Sequence, residues 1–156
     1  VIVTDLMKKK NYKRKKRGPV QAKKVTYDGI KFASGLERYM YMALKKAKIK
    51  AKYEGKTYEV VSGFDFINPS HERTANGKGE FKQRGGKKIL PIKYTPDFVG
   101  KDFIIECKGR ANESFPLRWK LFKKYLADNK LYYRLYKPQN QKECDKVIEL
   151  ILSSRK

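Results

Sequence analysis

The spacing of apolar positions changes several times along the chain, and each change marks an element. Over 34–48 the residues Leu36, Met40, Ala43, Leu44 and Ala47 recur at helical spacing. They predict a helix that Ser34 opens. A second helix is expected over 114–129, with Ser114 as its cap and Pro116 in its first turn. Its buried stripe is Phe115, Trp119, Phe122 and Leu126. A third, over 139–153, buries Cys144, Val147, Ile148, Ile151 and Leu152.

Between the helices the pattern alternates. Residues 25–32 (VTYDGIKF) carry an Asp-Gly turn signal and suggest a short strand or a hairpin. A strand follows over 51–61, with Tyr53, Tyr58, Val60 and Val61. Residues 89–99 (ILPIKYTPDFV) and 102–107 (DFIIEC) read as neighbouring strands turned at Gly100-Lys101, and 131–136 (LYYRLY) as a last strand. Residues 65–88 are too polar for core. They form a long basic loop or a stretched hairpin, which could bridge two subunits or reach over a nucleic acid. The expected fold is α/β: a central mixed β-sheet flanked by helices, without internal repeats.

Length and composition narrow the class. The 156 residues fit one domain with a real core. No apolar run reaches the roughly 20 residues needed to cross a bilayer, and no secretory pattern opens the chain. A soluble, cytoplasmic protein without membrane partners is expected. Residues 1–7 precede a basic run, and Met7 could be the native start. Cys107 and Cys144 form no C-x-x-C pair, so reduced thiols are expected rather than a zinc site or disulfide framework.

Charge changes the picture most. Lys and Arg number 39 against 16 acids, a formal net charge of +23. Such a balance predicts a polyanion partner, because neutralising phosphates releases counterions. A membrane-surface or ribosomal-type protein would share that charge. Residues 8–24 hold ten Lys or Arg in seventeen positions, and like charges keep such a run extended. Residues 1–24 therefore read as a flexible basic arm along DNA, or as a solubilising tail, ahead of a domain at 25–156. Phosphate contacts are expected from Lys13, Arg14, Lys15, Lys16 and Arg17, from Arg84, Lys87 and Lys88, and from Arg110 and Arg118.

Three short stretches carry chemistry: SGLE at 34–37, TPD at 95–97 and ECKG at 106–109. Glu106 and Lys108 are two apart on an expected strand and so share a face, while Cys107 points into the core. A hairpin across Gly100 brings Asp97 opposite or diagonal to Glu106. Two carboxylates about 4–8 Å apart can share a hard cation. A metal-bound water and a nearby lysine are what phosphodiester hydrolysis needs. Glu37 is a candidate for a second metal, although Ser34-x-x-Glu37 also fits a capping box. His71 reads as a solvated loop residue, and Trp119 as a buried helix position rather than a base-stacking one.

These residues resemble the PD-(D/E)XK nuclease superfamily. The match is closer to the phage endonuclease I family of Holliday junction resolvases, through FASGLE (32–37), IKAKYE (49–54), YTPDF (94–98) and ECKG (106–109), in that order. The stretch RWKLFKKYLADN (118–129) resembles a related group of small phage nucleases. The resemblance implies a restriction-endonuclease-like core in an intertwined homodimer. It implies Mg2+, with Mn2+ as a substitute and two ions per site. Asp97, Glu106 and the backbone carbonyl of Cys107 would be ligands, Glu37 would hold the second ion, and Lys108 would act on water or phosphate. The longer segment at 65–88 and a basic arm at the opposite end depart from that family, and bear on junction specificity and subunit exchange. The expected activity is magnesium-dependent, structure-selective cutting of four-way junctions and branched phage DNA. The alternatives are a restriction- or transposase-type endonuclease and a non-catalytic nucleic-acid binder.

Overall fold

A computed structural model describes residues 22–74 and 76–156. The arm cations Lys13, Arg14, Lys15, Lys16 and Arg17 lie outside the described residues. The first elements are the strands β1 (Val25–Tyr27) and β2 (Ile30–Phe32), an antiparallel hairpin. Its turn has positive φ at both Asp28 (54°) and Gly29 (73°). An Asp-Gly pair accepts that backbone at least cost. Helix α1 (Gly35–Lys46) follows, with Ser34 at its N-cap accepting from the Glu37 amide. Strand β3 (Ala51–Tyr53) comes next.

The stretch 51–61 is not one strand. Glu54 turns the backbone with φ of 47°, and β4 (Tyr58–Val61) leaves in another sheet. From there to Tyr94 the chain runs out and back as a long ribbon. Strands β4, β5 (Phe64–Phe66) and β6 (His71–Glu72) go out. Strands β7 (Lys82–Gln83), β8 (Lys87–Ile89) and β9 (Ile92–Tyr94) return. The antiparallel pairs are β4–β9, β5–β8 and β6–β7. Of the two expectations for 65–88, the stretched hairpin is the one found.

The expected strand 89–99 is likewise divided, by Leu90-Pro91 and by Thr95-Pro96-Asp97. Proline supplies no ladder donor and restricts its predecessor. Strand β10 (Phe98–Gly100) then pairs with β11 (Phe103–Ile105) around Gly100-Lys101. Helix α2 (Phe115–Asp128), strand β12 (Arg134–Tyr136) and helix α3 (Gln141–Ser153) complete the chain. Ser114 makes no side-chain cap; Asn112 Oδ1 accepts from the Phe115 amide instead. Asn140 caps α3.

The principal sheet has the order β12-β11-β10-β3, with β11 and β12 parallel and the other pairs antiparallel. Alternation along it feeds two cores. Phe98, Phe103 and Ile105 pack with Met40 and Leu44 of α1 and with Cys144, Val147 and Ile151 of α3. Ile104 packs on the other face with Trp119, Phe122 and Leu126 of α2. The mixed sheet is therefore sandwiched between α1 and α3 on one side and α2 on the other. Trp119 is buried, as expected. Leu152 is not, because α3 turns only Cys144, Val147 and Ile151 fully inward. No described helix is long and apolar enough to cross a membrane.

Candidate functional site

Strand β11 ends at Ile105, but its ladder runs on. The Glu106 amide donates to Tyr136 O and the Lys108 amide to Pro138 O, at 2.9 and 3.1 Å. This alternation keeps Glu106 and Lys108 on one side of the backbone and Cys107 on the other, in the α1–α3 core. The register Phe98↔Ile105 and Val99↔Ile104, carried one step further, sets Asp97 opposite Glu106. Asp97 Oδ2 accepts from the Cys107 amide at 2.7 Å, which ties the two chain segments together just beyond the paired strands.

Glu37 reaches the same region from the first turn of α1. Its Oε1 accepts from Ser34 Oγ at 2.8 Å, and its Oε2 from Tyr53 Oη at 2.6 Å and the Ala33 amide at 3.1 Å. The capping role and proximity to the other acids thus coexist. Glu37 and Glu106 are each only 6% exposed. Glu106 Oε2 accepts from Tyr94 Oη at 2.7 Å.

Burial raises Asp97 to about 8, and the charges of Glu106 and Glu37 push in the same direction. The Cys107 amide and Lys108 oppose the rise without cancelling it. Glu106 is also raised by burial, against the lowering effects of its Tyr94 bond and of Lys108. In a chain of +23, these acids are short of positive charge. Buried carboxylates shifted in this way are candidates for a functional site.

Among the described residues, no three His, Cys, Asp or Glu side chains form a group placed to hold a metal ion. The available donor set is smaller: Asp97 and Glu106, with the Cys107 backbone tied to Asp97 through its amide. These are hard oxygen donors with excess negative charge, which suits magnesium or manganese better than a soft metal. The Cys107 thiol does not compete. Its hydrogen bond with Cys144 and its burial both raise it, and both cysteines are free and buried. The hydrogen bonds of Glu37 already engage both its oxygens.

Lys108 is the cation that acts on both acids, and further cations lie over neighbouring aromatic rings. Lys108 Nζ lies 4.9 Å from the centre of the Phe115 ring, and Lys137 Nζ lies 5.8 Å from the same ring. Arg118 stands over Tyr94 at 5.9 Å and donates to Lys93 O at 3.2 Å. Arg110, Lys87 and Lys88 are exposed. Arg84 is not a free cation, because it donates to the Glu72 and Glu80 carbonyls and holds the ribbon tip. His71 lies exposed on β6, far along the ribbon.

Tyr94 and Tyr53 stand in the YTPDF and IKAKYE stretches, whose spacing assigns them no role. Both read as strand residues, and each proves to fix a carboxylate. The spacing Tyr94-x-x-Asp97 was visible, but a tyrosine on a strand is usually core.

The protein family described as "Protein of unknown function (DUF1064)" matches residues 17–142, well over half of the chain. The chain belongs to this family. The matched span contains Glu37, Asp97, Glu106 and Lys108, together with the whole ribbon. Neither the curated proteins nor the solved structures provide a match.

Proposed function

We propose that this DUF1064 member is a metal-dependent endodeoxyribonuclease of PD-(D/E)XK type, selective for four-way junctions and other branched DNA. The observation that carries the reading is the placement of Asp97 opposite Glu106, both raised in pKa, with Lys108 alongside. A protein that only bound phosphate would gain nothing from acids at that point. Asp97, Glu106 and the Cys107 carbonyl would hold Mg2+, or Mn2+ in its place. Such an ion lowers the pKa of a bound water and offsets charge on the scissile phosphate.

The chain's own residues have separable tasks. Tyr94 orients Glu106 through its hydroxyl, and the Cys107 amide orients Asp97. Lys108 positions the attacking water or stabilises the negative charge that develops on phosphate. Glu37 adds negative potential from α1 and, on the resemblance, serves a second ion after giving up part of its cap. In this reading the sheet with its flanking helices is a restriction-endonuclease-like core, and the active form is an intertwined homodimer on two DNA arms.

The deciding experiment incubates the protein with a labelled four-way junction and a matched linear duplex, in magnesium and in EDTA. Asp97→Asn and Glu106→Gln run alongside. Paired symmetric nicks in the junction alone, requiring both metal and Asp97, are expected. Equal cutting of both DNAs would retain the nuclease and remove the junction claim. Undiminished cutting by the variants would overturn the site.

A further inference from the structure

The β5–β8 and β6–β7 parts of the ribbon contribute no residue to either hydrophobic core. Yet they are far from uniformly polar. Ile67 is 83% exposed, Leu90 77%, Phe81 67% and Phe64 50%. The register pairs Phe64 with Ile89 and Phe66 with Lys87, so the two phenylalanines of β5 share a face with Ile89. That face is concave, a hollow of about 340 Å³ floored by Phe64, Phe66 and Ile89 and edged by Arg84, Lys87 and one acid, Glu72. Ribbons of two strands are marginal in water, and uncovered apolar patches of this kind usually meet a partner.

The charge selects the partner. Between positions 64 and 90 there are six Lys or Arg and three Asp or Glu, and no ion pair forms among these described residues. A second copy would set cation against cation. A nucleic acid would satisfy the lysines with phosphate and the rings with base faces. A two-stranded ribbon also has dimensions that a DNA groove accepts. In a fully paired duplex the base faces are covered. They are open in single strands and in unpaired stretches, such as those left at an imperfectly paired branch point, where aromatic side chains stack on them.

We propose that the ribbon is the element that senses DNA structure, with Phe64 and Phe66 in the hollow and the exposed Phe81 towards the tip receiving unpaired bases, while Lys87 beside the hollow and Lys88 on the opposite face hold phosphates. The inference rests on the nuclease reading for its choice of DNA. It reads binding, whereas that reading stands or falls on cutting.

The test uses the full chain in EDTA and measures fluorescence anisotropy on three DNAs: a junction with unpaired bases at its centre, a single strand and a blunt duplex. Phe64→Ala with Phe81→Ala should weaken the first two by roughly five-fold or more and leave the duplex within about two-fold. Lys87→Gln with Lys88→Gln should weaken all three alike and lower the salt slope by about two. Unchanged far-ultraviolet dichroism and melting confirm that the variants fold. Equal loss on all three DNAs by the phenylalanine variant would overturn the proposal. So would unchanged binding accompanied by a shift from dimer to monomer in sedimentation, which would make the patch a contact between copies.

Discussion

Asp97 keeps a proton that an exposed aspartate would have lost. Its ordinary value is 3.8, and in the folded chain burial and the charges of Glu106 and Glu37 lift it to about 8. A raised carboxyl binds its proton more tightly when folded. Its contribution to stability is therefore complete below about pH 4 and is lost as pH rises through 8. Asp97→Asn removes that loss. At pH 8–9 and without metal, the variant should be more stable than the native chain by about 1–3 kcal/mol. The difference should shrink towards pH 5, as thermal melts across pH would show. The cation has the reverse profile, because it must displace the proton. Magnesium should raise the native melting temperature more at pH 9 than at pH 6, and barely move Asp97→Asn. A pH-independent effect of the substitution would show that the acids do not share a charged cluster.

Two elements bring the acids together, and each has a weak point. The β10–β11 hairpin turns tightly after Gly100, where an added Cβ would lie 2.3 Å from the buried Phe103 ring. Gly100→Ala should therefore cost about 1–3 kcal/mol, the range for forcing an extra carbon into a packed site, and loosen the register that sets Asp97 against Glu106. Urea titration checks the cost. Recovery of stability in Gly100→Ala with Phe103→Leu would assign it to that contact. In α1, Ser34→Ala should cost about 1 kcal/mol through the lost cap, yet leave the carboxyl of Glu37 in place. Glu37→Gln keeps a partial cap and removes the charge. Cleavage lost in the second and kept in the first would separate the two roles of the Ser34–Glu37 pair.

The same elements explain what could be read from the sequence. The β1–β2 turn, the helical stripes and the hairpin that opposes Asp97 to Glu106 all follow from local rules of spacing and turn chemistry. The strand breaks at Glu54, Leu90-Pro91 and Thr95-Pro96-Asp97 did not show, because apolar alternation continues through them while the backbone changes sheet. The cap at Asn112 was hidden by Ser114, a residue of equal capping propensity two positions later. The outer ribbon stayed ambiguous because neither face of its β5–β8 and β6–β7 parts is buried in the chain. Tyr53 and Tyr94 became site residues only through contacts across the fold, which no local pattern encodes.

At the scale of the molecule, a small acidic centre sits in a strongly cationic chain. Lys108 acts on both acids, Arg118 and Lys137 lie over the neighbouring Tyr94 and Phe115 rings, and the ribbon carries further lysines away from the acids. Such a distribution attracts a polyanion from a distance and leaves one spot that repels phosphate until a cation or a proton neutralises it. Two dependences should then be separable in one binding experiment. Affinity for DNA should fall linearly with the logarithm of salt, by about 0.9 per phosphate neutralised, in the native chain and in Asp97→Asn with Glu106→Gln alike. The intercept should differ: in EDTA near pH 8–9 the doubly substituted chain should bind several-fold tighter, because two negative charges have left the phosphate path. Magnesium should bring the native chain up to the same affinity. A flat salt dependence would remove nucleic acid as the partner. Equal intercepts with a steep slope would place the DNA elsewhere on the cationic surface, away from Asp97 and Glu106.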